Sequence, residues 1–252
     1  MAILQVENLS IRFGGLVAVD QVSFEVAPDQ IFTIIGPNGA GKTTIFNLIS
    51  RLYEPTSGRI LFQGTDITRR PPHQIARLGM ARTFQNIELF EHATVLDNVL
   101  LGRHVHARAG FVSQLCYLPG LRRDEKAFRE VAERVIGFLD LESYRRTPIH
   151  GLPYGIRKNV ELARALALEP RLLLLDEPSS GLTPTEARAL AYRLKAIRDR
   201  LGIAILMVEH NLRLVSDVSD HVLAVNQGRI LTAGTSDAVQ RHPDVVRAYI
   251  GE

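Results

Sequence analysis

Hydrophobic positions along the chain change their period several times, and each change predicts an element. Residues 4–9 and 17–26 carry period-two stretches, clearest at Val22, Phe24 and Val26, broken by Gly14-Gly15 and Pro28-Asp29. They predict antiparallel strands. Continuous apolar runs at 31–35, 172–175 and 203–208 predict strands buried on both faces. Helical spacing follows the first run, with Ile45, Leu48 and Ile49 on one face. After a turn at 54–58 come a short strand over 59–64, a short helix over 72–78, and a strand running into a loop over 80–85. From about Asn86 the pattern turns helical. Residues 94–101 place Val95, Asn98, Val99 and Leu100 for one face, and 124–139 carry a stripe of Phe128, Val131, Val135, Phe138 and Leu139. Between them lies a loop over 102–121 rich in Arg, His and Gly. The α/β pattern resumes with a helix over 155–168. Thr183-Pro184-Thr185-Glu186 is a capping box with proline at the first helical position, opening a helix to about Arg200. Asn226-Gln227-Gly228 joins two short strands as a hairpin, and Ser236 and Pro243 each begin a closing helix. The expected organisation is one domain over 1–252. An α/β nucleotide-binding core (1–85 and 159–252) carries an N-terminal antiparallel β-subdomain and is interrupted by a helical subdomain (86–158).

The first buried strand leads into Gly36-Pro37-Asn38-Gly39-Ala40-Gly41-Lys42-Thr43, followed by Thr44 and the helix. Every fixed position of the phosphate-loop pattern G-x-x-x-x-G-K-[ST] is present, between a strand and a helix as the pattern requires. Glycines let the backbone curl so that its N–H groups point at phosphate oxygens, and the helix adds its positive end. Lys42 reaches the β- and γ-phosphates, and the Thr43 hydroxyl sits on Mg²⁺. The second buried run ends in Asp176-Glu177. In a parallel sheet such strand ends point at the ligand crevice. An acid there holds Mg²⁺ and a second activates an attacking water, so Asp176 is assigned to the metal and Glu177 to the water.

Composition changes this picture little. The 252 residues are 46% hydrophobic and 23% charged, with a net charge of +3, ordinary for a soluble globular protein. That charge neither demands nor excludes a nucleic-acid or anionic-membrane partner. No apolar run approaches the ~20 residues of a membrane span, and the N-terminal residues lack the basic region of a signal peptide. One cysteine, Cys116, excludes an internal disulfide and fits a reducing compartment. The histidines other than His210 show no metal-ligand spacing.

Further motifs make the resemblance specific. Asp176-Glu177-Pro178-Ser179 follows a helix that starts Leu152-Pro153-Tyr154-Gly155-Ile156 and continues Val160-Glu161-Leu162-Ala163-Arg164-Ala165-Leu166. Together these resemble the second Walker motif and signature helix of ATP-binding-cassette (ABC) ATPases. Arg82-Thr83-Phe84-Gln85 is similar to the family's Q-loop, Val208-Glu209-His210 to its His switch, and Phe13 to the aromatic that stacks on adenine. The resemblance runs the length of the chain in the family's order. It implies ATP and Mg²⁺ as ligands, with Gln85 reaching the metal or the attacking water and His210 donating to the γ-phosphate. It also implies a head-to-tail dimer in which one subunit's phosphate loop and the other's signature residues, Leu152 and Gly155 here, hold each ATP.

The chain departs from the family in three places. Pro153 and Ile156 stand where the signature usually has Ser and Gln, removing a hydroxyl, an N–H and an amide. The Gly155 N–H and the helix N-terminus remain suited to phosphate. Thr183 stands where the D-loop often has Asp, and reads as the helix cap. The opening 11–19, the ending 226–252 and the long insert over 110–128 resemble the ATPases of branched-chain amino-acid importers, in particular the larger of their two ATPase subunits. That resemblance implies two transmembrane permease subunits, a second ABC ATPase subunit, an indirectly engaged substrate-binding protein, no nucleic acid, and a peripheral place on the cytoplasmic face of the inner membrane. Other readings are an ATPase for urea or short amides or for lipopolysaccharide export, a soluble ABC protein acting on ribosomes or DNA, and a nucleotide-binding regulator that barely hydrolyses.

Overall fold

A computed structural model describes residues 1–85, 87–106 and 119–250. Cys116, most of the loop expected over 102–121 and the first part of the insert expected over 110–128 lie outside the described residues. The chain divides into two compact units, Met1–Gln85 with Arg171–Glu252, and Asn86–Pro170.

In the first unit, β1 (Leu4–Phe13) and β2 (Leu16–Val26) form an antiparallel hairpin, extended by β4 (Ser57–Phe62) and β5 (Thr65–Asp66) into a sheet of order β2-β1-β4-β5. The inward residues Leu4 and Val6 are followed by Leu9 and Ile11, a slip of one in the period-two pattern. The register shifts between Val6 and Leu9 to absorb it, and Asn8 takes φ 47°. A bulge there keeps both pairs on the buried face.

The second sheet is built from β3 (Ile31–Ile35), β6 (Met80–Arg82), β7 (Leu172–Asp176), β8 (Ala204–Val208), β9 (His221–Asn226) and β10 (Arg229–Gly234), in the order β10-β9-β3-β8-β7-β6. All neighbours are parallel except β10, which pairs antiparallel with β9. Every residue of β3, β7 and β8 is buried, which explains their unbroken apolar runs. The two sheets of this unit share one core, in which Phe24 stacks on Phe32 at 5.2 Å and Phe46 and Phe62 are fully enclosed. Its helices are α1 (Lys42–Ile49), α2 (Pro72–Arg77), α6 (Pro184–Leu201), α7 (Leu212–Val218), α8 (Ser236–Gln240) and α9 (Pro243–Ile250).

The second unit contains α3 (Val95–Leu101), α4 (Pro119–Phe138) and α5 (Tyr154–Leu166), with α3 packed on both others. Because α5 packs on α3, this unit runs to Pro170, past the boundary at 158 expected from sequence. Thr94 caps α3 through a capping box with Asp97. The buried face of α4 is Val131, Ala132 and Ile136, with Leu139 buried just past its end, whereas Val135 and Phe138 of the expected stripe are half-buried. The short strand β5 and the helix α7 were not expected from the sequence.

Candidate active site

Four neighbouring strands of the parallel sheet, in the order β3-β8-β7-β6, end in the four loops that carry the candidate residues. After β3 comes the phosphate loop, after β8 His210, after β7 Glu177, and after β6 Gln85. Asp176, the last residue of β7, pairs in register with Val208, the last of β8. Parallel strands place all four loops at one sheet edge, where α/β sheets hold ligands.

The backbone leaving β3 turns through Gly39 and Gly41, at φ 78° and 98°. Gly41 stands directly before α1, and a Cβ there would lie 2.7 Å from the Ala18 carbonyl oxygen, so the turn requires glycine. No side chain caps α1, which leaves its first N–H groups for an anion. The Lys42 Nζ donates to the Gly36 and Pro37 carbonyls at 2.7 and 2.8 Å. Burial lowers the Lys42 ammonium below its ordinary value, while Glu177 and Asp176 act in the opposite direction.

A cleft of about 1250 Å³ opens over this loop, lined by residues 38–44 together with Phe13, Leu16, Gln85 and Glu177. Phe13 is 46% exposed and meets the edge of Tyr53 at 5.3 Å and 75°. This T-shaped contact steadies an otherwise open aromatic face.

Glu177 takes φ 47° and donates its N–H to the Val208 carbonyl at 2.9 Å, a left-handed conformation uncommon for a residue with a Cβ. The Gln85 Nε2 donates to Glu177 Oε2 at 3.0 Å. The His210 Nδ1 stands 3.6 Å from the same oxygen, too long for a hydrogen bond. The three residues therefore meet at one carboxyl oxygen, although 92 positions separate Gln85 from Glu177.

Asp176 is buried behind this group and bonded to Arg82 at 2.9 Å. Arg82 also donates to Asn47 Oδ1 and Ser50 Oγ at 2.8 and 2.6 Å, and its guanidinium lies 5.7 Å from the Phe46 ring and 5.1 Å from the Phe84 ring. Burial lowers Arg82 from its ordinary value, and Asp176 opposes the shift. The sequence reading named Arg82 within the Q-loop motif but missed that it links β7 to α1.

Glu209, quoted in the sequence only as the neighbour of His210, is completely buried and accepts three backbone hydrogen bonds. Tyr53 was also missed. The sequence reads it only as the end of a helix, and its contact with Phe13 is what marks it.

The signature residues belong to the second unit. Pro153 occupies the N-cap of α5 at φ −56° and ψ 152°, with no side-chain cap, and Gly155 is buried. Arg157 folds back, its Nε donating to the Leu152 carbonyl at 3.0 Å and its Nη2 to the His150 carbonyl at 2.9 Å. The Thr183 hydroxyl accepts from the Glu186 N–H and donates to the Glu186 carboxyl, so Thr183 is the cap of α6.

Asp176, Thr43 and Gln85 offer oxygen donors of the kind a hard cation takes. Among the described residues, no group of three His, Cys, Asp or Glu side chains is placed to hold a metal. The donor set fits Mg²⁺ completed by phosphate and water, and not a protein-only cage.

Residues 19–180 match the model of the ABC transporter family. The chain is 40% identical over 250 residues to the high-affinity branched-chain amino acid transport ATP-binding protein BraF of Pseudomonas aeruginosa, covering 99% of this chain and 98% of that one. It is 39% identical, over the same shares, to LivG of Escherichia coli K12, which carries the same description. Among solved structures it is similar to the ADP conformation of an ATP-binding cassette of an ABC transporter, with TM-score 0.88, 33% identity and both chains covered completely. A nucleotide-free cassette matches over the same extent with TM-score 0.87 and 32% identity. The phosphate loop, the acids at the end of β7 and these likenesses agree, and the chain belongs to the ABC transporter family as one of its ATP-hydrolysing cassettes.

Proposed function

We propose that this chain is the ATP-hydrolysing subunit of an importer for branched-chain amino acids, working at the cytoplasmic face of the membrane beneath two permease subunits and beside a second ABC ATPase. The observation that carries the catalytic part is the meeting of Gln85, Glu177 and His210 beside the phosphate loop. The substrate class rests on relatives of that description that match over nearly the whole chain. Among the described residues no helix is long and apolar enough to cross a membrane, so the solute path would belong to other subunits.

In this reading residues 36–44 hold the phosphates through backbone N–H groups, and Lys42 exchanges its two carbonyl partners for phosphate oxygens. Phe13 stacks on the adenine. Glu177 takes the proton from the water that attacks the γ-phosphorus in line, the P–O bond to the β-phosphate breaks, and ADP leaves with that bond's electron pair. Gln85 holds the Glu177 carboxyl and the water in line, and His210 donates to the γ-phosphate. Thr43, Asp176 and Gln85 would hold Mg²⁺, which when bound neutralises phosphate charge. Leu152 and Gly155 would grip the ATP of the opposing subunit through the bare N-terminus of α5.

Two measurements test this reading. Glu177→Gln is expected to lower steady-state ATP hydrolysis by about 100-fold or more while ATP binding persists; undiminished turnover would remove Glu177 from the mechanism. Deleting the coding gene is expected to abolish high-affinity uptake of labelled leucine, isoleucine and valine by the source cells, and unchanged uptake would reject the substrate class.

A further inference from the structure

The hydrogen-bond ladder between β7 and β8 ends at the Asp176–Val208 pair, and the Glu177 N–H to Val208 carbonyl bond is its last rung. Beyond it the two chains part into separate loops, one carrying Glu177 and the other His210. The side chain of Glu209 spans the gap. Its Oε1 accepts the Ser179 N–H at 2.8 Å, and its Oε2 accepts the N–H groups of His210 and Asn211 at 2.9 and 3.0 Å. Ser179 lies in the same turn as Glu177, whose carbonyl accepts the Ser180 N–H at 3.0 Å. The Glu209 N–H donates to the Ile34 carbonyl at 3.2 Å, fixing the residue to the strand that feeds the phosphate loop. Asn211 in turn caps α7 through its side chain.

Glu209 is fully enclosed. A buried ionisable side chain is costly unless its oxygens are satisfied, and here three N–H groups satisfy them. Those donors belong to the two loops that must meet at the water. The geometry points to Glu209 as a positioning residue that sets the loop of Glu177 against the loop of His210. Its enclosed carboxylate is taken up by backbone N–H groups, so it acts through its neighbours. This inference rests on the catalytic roles proposed above.

The test is steady-state kinetics on the full chain with Glu209→Gln and Glu209→Asp, alone and combined with His210→Ala. Gln keeps the shape but turns one acceptor into a donor, so at one end an amide N–H faces a backbone N–H. Asp keeps the charge but is one methylene shorter. The expected result for Glu209→Gln is a fall in kcat of about 10-fold or more, with KM and directly measured ATP affinity within about twofold. Glu209→Asp should recover part of the loss. Groups that work as a unit are not additive, so Glu209→Gln should cost little further in the His210→Ala background, measured by single turnover. A merely structural role would lower the folded fraction and leave the losses additive. Wild-type kcat in Glu209→Gln, additive losses, or failure of both Glu209 variants to fold would each overturn the inference. If Glu177→Gln and His210→Ala hydrolyse ATP normally, the underlying mechanism has failed. If they collapse while Glu209→Gln does not, only the positioning role has failed.

Discussion

Arg82 shows how one side chain ties three parts of the site. It sits on the short strand β6, between the Phe46 and Phe84 rings, and its guanidinium reaches Asp176 on β7 and both Asn47 and Ser50 at α1. A planar fork with several donors suits this task, and a lysine ammonium does not. Breaking a buried pair leaves an uncompensated charge, which costs about 3–5 kcal/mol. Arg82→Ala should therefore lower the unfolding free energy by about that amount in urea titration, and Arg82→Lys should recover only part of it. A loss below ~1 kcal/mol, the range of exposed pairs, would mean that Asp176 is held by other contacts.

At the scale of elements, the capping box of α6 sets where the segment after Glu177 stops and the helix begins. The Thr183 hydroxyl and N–H hold the Glu186 carboxyl below its ordinary value. A carboxyl depressed in the folded state adds stability that is present above its unfolded value and is lost as pH falls through the folded value. Thr183→Ala should cost about 1 kcal/mol at neutral pH, and the gap to wild type in thermal unfolding should narrow as the buffer is taken down through the carboxylate range. A gap constant with pH would show that Glu186 takes no part. A second element-scale expectation concerns the β9–β10 turn. Gly228 has φ 76°, and a Cβ there would stand 2.6 Å from the Ala18 carbonyl. Its N–H donates to Ala40 of the phosphate loop. Gly228→Ala should weaken ATP binding as well as lower Tm, because the turn is wedged between β2 and that loop; unaltered ATP affinity would rule this out.

The strands that carry the site were legible because burial on both faces writes itself as an unbroken apolar run, as in 172–175. The phosphate loop was legible because its glycines and Lys42 have fixed spacing. Other features left weaker traces. Helix α7 carries Leu214, Val215 and Val218 at helical spacing and Asn211 at its cap, but its seven residues are short enough to be read as a loop. The bulge at Asn8 looked like a lapse of alternation. The duties of Arg82 and Glu209 were invisible because each has partners that only the fold brings near, Asn47 and Asp176 for Arg82 and Ser179 for Glu209.

For the molecule as a whole, strand order also explains how a large helical unit is accommodated. The chain leaves the core after β6 and returns at β7, and these two strands are neighbours. The Gly79 carbonyl, just before β6, accepts the N–H groups of Arg171 and Leu172 at 2.7 and 3.2 Å, fastening the starts of these two strands together. The same order bears on biosynthesis. β3, which delivers the phosphate loop, has β8 and β9 as its neighbours in the sheet, and both are made more than a hundred residues later. A nascent chain thus exposes its glycine loop long before the sheet that shapes it can close. Because pairing of such distant segments is slow, the nucleotide pocket would be among the last features of this sheet to form.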